Sequence, residues 1–398
     1  MILVEEAEKI ILNHTKDFDS EDIPLFDSIG RILAEDLITD RDLPPFNRAT
    51  VDGIAISFKD YLDGIRKFKI KGVQAAGQTP INIDRKGQCI EIMTGAAVNK
   101  NLDTVIPYED LIIQNGQAIV QEVPVQKDQN IHPQGSDKIK GEILVKKDNI
   151  ITPTILGVSA SIGKVKIKVK KLPRILIITT GDELVPMDSN PTDYQIRQSN
   201  AINIQAELKK YKIQAHAMHL KDNREMIETK LKSNLQHYDV ILLTGAVSMG
   251  KFDYIPEVLK NLNVQKFFHK VKQRPGKPFW FGKSQESTLI FAFPGNPVSA
   301  FLCLHRYFIP WLEASLNLVR QVEFAKLDID LNFKPELQYF AQVKLLVNEK
   351  AELIASMMNT NGSGDYSHLP DTNAFIELPW DKTRFSKGEC YRIWRYNN

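Results

Sequence analysis

Two kinds of hydrophobic pattern share this chain, and one gives way to the other near residue 172. Beyond that point, continuous apolar runs such as RILIITT (174–180), YDVILLTG (238–245) and STLIFAF (287–293) alternate with longer segments of helical spacing. A short run without a polar face predicts a strand buried on both sides. SNAINIQAELKKY, DNREMIETKLKSNLQ, DYIPEVLKNL and PVSAFLCLHRYFIPWL lie between or after such runs, with Ser199 and Asp222 as expected helix starts. With IQAHAMHL as a further strand, the order predicts βαβ units and a parallel sheet. Upstream the pattern differs. LVEEAEKIILNH (3–14) has helical spacing, then comes the proline-rich loop DLPPFNRATVDG, and short β-like runs follow: FKIKGV, QCIEIM and AIVQEVPV. IGKVKIKVKK alternates Val or Ile with Lys as a half-exposed strand does. From about Val319 the runs FAKLDIDLN, QYFAQVKLLVNE and ECYRIWRY predict a small all-β domain.

These changes of pattern set boundaries. Residues 1–40 and 138–171 form one segmented domain, 41–137 a β-rich one, 172–317 an α/β domain and 318–398 a C-terminal β domain. A chain of 398 residues exceeds one ordinary core, and about two to four domains are expected. Lys+Arg 51 against Asp+Glu 49 lacks the basic excess of a phosphate-backbone binder, which argues against nucleic acid. The start carries acids where a secretory signal is basic, and no apolar run approaches a membrane span. A cytoplasmic protein is expected, with Cys89, Cys303 and Cys390 as reduced packing residues rather than metal ligands.

Candidate chemistry gathers at the strand ends of the α/β segment. One run ends in Gly181-Asp182-Glu183. Another ends in Gly245-Ala246-Val247-Ser248-Met249-Gly250, with Asp253 beyond, and a third in Pro294-Gly295-Asn296-Pro297-Val298-Ser299. In a doubly wound sheet, ligands bind beyond the carboxyl ends of the strands. Glycine admits a ligand to the backbone, and free N–H groups at a helix start favour an anion. Together these loops predict a cradle for a phosphate-bearing ligand. Each loop alone is an ordinary turn. In VKQRPGKPFWFG, Arg274 and Lys277 flank Pro275-Gly276, and the prolines restrict the bend, so two cations are held near one point. A hairpin with solvated charges is the plain alternative; an oxyanion pocket is the sharper one. Asp182, Glu183 and Asp253 sit on the same rim, and Asp52 ends the irregular loop at 42–53. Carboxylates beside a phosphate site make sense when Mg²⁺ bridges them, since this ion takes one or two carboxylates, several waters and phosphate oxygens.

PPFNRATVDG, EIMTGAAV, TTGDEL, TGAVSMGKFDY, RPGKPFWFG and FPGNPVSAF, with NGSGDYSHLPDTNAFIELP in the tail, resemble in order and spacing the molybdopterin molybdenumtransferase family. That family comprises bacterial MoeA and the E-domains of gephyrin and of plant homologues. The resemblance implies a multidomain α/β and β fold: a doubly wound, MogA-like molybdopterin-binding domain, an elongated linking domain in two segments, an inserted β-rich domain and a C-terminal β-barrel. It implies a homodimer in which the Asp52 loop acts across the interface, and it leaves room for a molybdopterin adenylyltransferase as a further partner. The reaction it implies joins molybdate to adenylylated molybdopterin, giving molybdenum cofactor and AMP with Mg²⁺. Arg274, Lys277, Pro278 and Ser299 are then expected to hold molybdate. Asp182, Glu183 and Asp253 are expected to hold metal. Gly181, Gly245, Ser248, Gly250, Pro294, Gly295, Asn296, Pro297 and Asp137 are expected substrate contacts. Asp52, Thr94, Asp182, Glu183, Asp253 and Lys277 are expected to be needed for activity. The chain departs from the usual family pattern at His132, at Gln198 and at Arg274, where Arg, Asp and Lys are commoner. Two rival readings are an adenylyltransferase and a non-catalytic scaffold; the four-domain length and the Asp52 loop favour molybdenum insertion, and no long linker or fused second α/β domain supports the scaffold.

Overall fold

The computed structural model describes residues 1–245, 247, 253–359 and 361–397, and the chain divides into two compact units. The first comprises Met1–Ala34, Asp148–Thr152 and Ile167–Asn398; the second comprises Glu35–Lys147 and Pro153–Lys166.

At the centre of the first unit is a six-stranded sheet: β1 (Ile175–Thr180), β2 (His216–Leu220), β3 (Val240–Thr244), β4 (Gln265–His269), β5 (Trp280–Lys283) and β6 (Leu289–Phe293). Its order is β2-β1-β3-β6-β5-β4. The first four neighbours pair in parallel, whereas β5 runs antiparallel to both β6 and β4. The sheet is therefore mixed, not parallel throughout. Strands β4 and β5 escape sequence reading because they flank the charged bend that dominates their pattern.

Alternation explains the unbroken apolar runs. Ile175, Ile177, Val240, Leu242, Phe291 and Phe293 face one core, and Leu176, Ile178, Ile241, Leu243, Ile290 and Ala292 face another. Helices α1 (Asn200–Lys210) and α4 (Pro297–Cys303) cover the first face; α2 (Arg224–Asn234) and α3 (Ile255–Asn261) cover the second. This is the doubly wound arrangement. Two helix starts differ from expectation. Asn223, not Asp222, caps α2 by accepting the Met226 amide at 2.9 Å, and Ser199 makes no side-chain cap on α1.

Beyond the helices, β7 (Glu323–Leu327), β8 (Gln338–Val347), β9 (Leu353–Met357), β10 (Ala374–Leu378) and β11 (Cys390–Arg395) close a five-stranded barrel in the cycle β8-β9-β7-β11-β10. Closure leaves these strands no free edge. A short strand, Gln273–Arg274, leaves the α/β sheet and pairs in parallel with Gln338 and Tyr339 of β8, so the RPGK bend is shared with the barrel. Arg306 binds the same parts together. It is 1% exposed, donates to Glu8 of the N-terminal helix Val4–Leu12 at 2.9 Å, and lies 3.4 Å from Glu377 of β10, with Trp394 of β11 under its guanidinium.

The second unit holds a six-stranded sheet in the order Thr104–Pro107, Gly53–Ile56, Gln88–Ile92, Lys67–Gln74, Gln117–Val120 and Leu111–Gln114. Cys89 and Cys303 are buried as expected, but Cys390 is exposed, because it opens β11 beside the polar turn at Gly388. Among the described residues no helix is long and apolar enough to cross a membrane.

Candidate active site

Two cavities open on the first unit, and Pro278, Pro294 and Asn296 line both. The first, about 420 Å³, lies beyond the carboxyl ends of β1, β3 and β6. Gly181, Glu183, Gly245, Asp253, Gly295 and Pro297 are on its wall. The strand order turns back between β1 and β3, which is where ligands bind in open α/β sheets. Gly245 has φ +95°, and a Cβ there would lie 2.5 Å from the Thr180 carbonyl oxygen, so a larger residue would push the tips of β1 and β3 apart.

Acids crowd this cavity. Glu183, Asp222 and Asp253 line it; Asp182 is not on its wall, and its Oδ1 accepts the Asp222 amide at 3.2 Å. Burial, with the charges of Asp182, Glu183 and Asp253, raises the Asp222 carboxyl above its ordinary range, although an amide of Asp182 works the other way. One oxygen of Asp222, Oδ1, is buried without a hydrogen-bond partner among the described residues, as is Thr180 Oγ1. Asp222 is the acid that sequence reading missed by assigning it to a helix cap. Its position two residues beyond β2 was the available signal. Among the described residues no three His, Cys, Asp or Glu side chains converge as a metal cage.

The second cavity, about 650 Å³, carries the cations. Arg274, Lys277 and Ser299 line it, with Leu337, Tyr339, Phe340 and Gln342 from the barrel and Asn361, Gly362 and Ser363 from its loop. Arg274 and Lys277 are exposed and form no ion pair among the described residues. Their bend is held from inside. Buried Gln273 donates from Nε2 to the Pro275 and Gly276 carbonyls at 3.1 and 3.2 Å, and Tyr307 donates its hydroxyl to Gln273 Oε1. Gly276 has φ +85°, and a Cβ would lie 2.7 Å from Gln273 Nε2.

The PGNP loop between the cavities is anchored on both sides. Asn200 Nδ2 donates to the Gly295 carbonyl at 2.8 Å, and Asn296 Nδ2 donates to Ser363 Oγ at 2.9 Å. The Val298 amide donates to the Ser363 carbonyl at 3.2 Å, so that N–H at the helix start is taken by the barrel rather than left for an anion.

The remaining expected residues lie in the second unit or outside the described residues. Asp52 Oδ1 accepts the Thr94 amide at 2.6 Å and the Thr94 hydroxyl at 2.7 Å, which together hold its carboxyl below the ordinary range. His132 bridges Arg48 and Asp137, at 3.1 and 2.8 Å. Ser248 and Gly250 lie outside the described residues.

An acid-lined cavity and a cation-lined one share three wall residues at the switch point of a doubly wound sheet beside a barrel, which is the ligand-binding position of open α/β sheets. Comparison with known proteins gives the family. Residues 2–163 match the model for the MoeA N-terminal region (domain I and II), and residues 176–314 match that for a probable molybdopterin binding domain. The chain is 37% identical over 399 residues to a molybdopterin molybdenumtransferase of Synechocystis sp., covering 100% of both. It is 30% identical over 401 residues to one of Staphylococcus epidermidis, covering 98% of this chain and 95% of that one. A solved structure of a molybdopterin biosynthesis MoeA protein from Pyrococcus horikoshii superposes with a TM-score of 0.87 at 25% identity, covering 100% of both chains. The chain belongs to the molybdopterin molybdenumtransferase family, and it is an enzyme of molybdenum cofactor biosynthesis.

Proposed function

We propose that this enzyme takes molybdenum from molybdate into adenylylated molybdopterin and releases AMP, with Mg²⁺ assisting. The observation that supports the reading is the sharing of Pro278, Pro294 and Asn296 between an acid-lined and a cation-lined cavity. Molybdate is a tetrahedral dianion. Arg274 and Lys277, free of carboxylate partners among the described residues, hold it by charge-assisted hydrogen bonds, and Pro278 and Ser299 shape the rest of its pocket. The diphosphate then lies in the first cavity, where Gly181, Gly245 and Gly295 let it approach the backbone.

The donor set of the first cavity suits Mg²⁺. Asp222 is raised by burial and then by the neighbouring acids, and its Oδ1 is buried without a hydrogen-bond partner among the described residues; a divalent cation relieves both. Glu183, Asp222 and Asp253 line the cavity with Asp182 beside them, and one or two of these carboxylates would hold the ion, whose shell water and phosphate oxygens would complete. Its chemistry when bound is to draw charge from the phosphoanhydride oxygens, easing departure of AMP. In a homodimer the Asp52 loop serves the site of a second copy, and Thr94 keeps the Asp52 carboxyl ionised there.

The test follows product composition. Purified enzyme given adenylylated molybdopterin, molybdate and Mg²⁺ should yield a pterin product carrying one molybdenum for each AMP released. AMP released with no molybdenum in the pterin would refute the reading.

A further inference from the structure

We propose that Arg197 grips the diphosphate of the substrate in the first cavity, a role that rests on the reading above. Among the described residues lining that cavity, Arg197 is the one cation, against the carboxylates of Glu183, Asp222 and Asp253. Arg274 and Lys277 line the other cavity. An anionic diphosphate entering the first would therefore meet chiefly like charge unless a cation belonged to that wall.

Arg197 is placed for this by its backbone. Leu184–Val185 pairs in parallel with Ile196–Arg197, Val185 standing beside Arg197 in register. The Ile196 amide donates to the Glu183 carbonyl at 2.8 Å, and the Gln198 amide to the Val185 carbonyl at 3.0 Å. The cation thus rides on a strand tied to the acid-bearing turn. Its Nε donates to the Ser189 carbonyl at 3.0 Å, which fixes one edge of the guanidinium. The two terminal nitrogens make no hydrogen bond or ion pair among the described residues, despite the nearby acids. A planar fork with a free edge matches two phosphate oxygens, which a lysine ammonium does not. Thr180 is 2% exposed, and its Oγ1, packed behind Gly245, has no hydrogen-bond partner among the described residues.

Two variants, Arg197→Gln and Arg197→Lys, separate this role from folding and from the oxyanion site. Arg197 is exposed, and both should melt with the wild type. With ADP as a diphosphate probe in calorimetry, with and without Mg²⁺, R197Q should weaken binding about 10- to 100-fold. Its KM for adenylylated molybdopterin should rise by a similar factor, with kcat changed less than about threefold and the half-saturating molybdate concentration unchanged. R197K should recover only part of the loss. Unchanged ADP affinity and KM in both variants would overturn the proposal, and so would a molybdate response shifted as far as the substrate KM. If the wild type itself released no AMP, the proposed function would fail, while the ADP titration would still decide the part played by Arg197.

Discussion

Lys277 and Arg274 show how much a residue's neighbours matter. Both are exposed and form no ion pair among the described residues, in a protein where other exposed cations find carboxylates, such as Lys86 with Asp63 and Arg174 with Asp239. Like charges kept close on one bend repel, and an anion between them relieves the repulsion. Lys277→Ala should raise the molybdate concentration for half-maximal rate by about 10-fold or more, the size of one charge-assisted contact. An unchanged molybdate titration would remove Lys277 from the oxyanion role. These cations were legible in the sequence because prolines and a glycine confine them. Asp222 was not. Its neighbour Asn223 performs the capping expected of it, and only the fold shows that the tip of β2 meets the acids of β1 and the Asp253 segment.

Among the elements, the RPGK bend and the PGNP loop carry the design. Sequence reading credited their rigidity to proline. The structure adds a buried polar lock: Gln273 is fully buried and satisfies the Pro275 and Gly276 carbonyls, while Tyr307, from the helix that follows PGNP, satisfies Gln273. Nothing in a single glutamine marks it as a lock, because its partners are backbone carbonyls and a residue more than thirty positions away. Gln273→Leu would leave those groups unpaired and should cost about 2–4 kcal/mol in urea unfolding, with a weaker molybdate response. Stability equal to wild type would mean that the prolines alone set the bend. Three of the four parallel strands, β1, β3 and β6, were legible for a clear reason: both faces are buried, so their runs are unbroken, whereas β2 at the sheet edge is largely exposed. Strands β4 and β5 were not, since β5 pairs antiparallel beside a bend rich in charge and turn residues.

Across the whole molecule, the N-terminal helix, the α/β sheet and the barrel meet at the segment Leu304–Phe308. His305 in that segment is fully enclosed. Burial, aided by the charges of Lys210 and Arg320, pushes its pKa from an ordinary 6.5 down to about 3. The folded state therefore refuses a proton that the unfolded chain accepts below about 6.5. This contribution to stability is intact above that value and is lost progressively as pH falls towards 3. Between pH 7 and 5 the loss should be about 2 kcal/mol, and a His305→Gln variant should lack that share of the acid sensitivity. Identical pH slopes for the two proteins in urea unfolding would contradict it. At the same scale, Asp52→Ala mixed with Lys277→Ala should regain activity through hybrid dimers, each supplying what the other lacks. No recovery would argue that the Asp52 loop serves its own chain.

One assay reaches the joined cavities as a unit. AMP released from adenylylated molybdopterin is followed with molybdate and Mg²⁺ supplied together, each omitted in turn, and both withheld. Rapid release only when both are present is the expected result. Equal rates without molybdate would mean that the cationic cavity is no part of the chemistry at the strand tips.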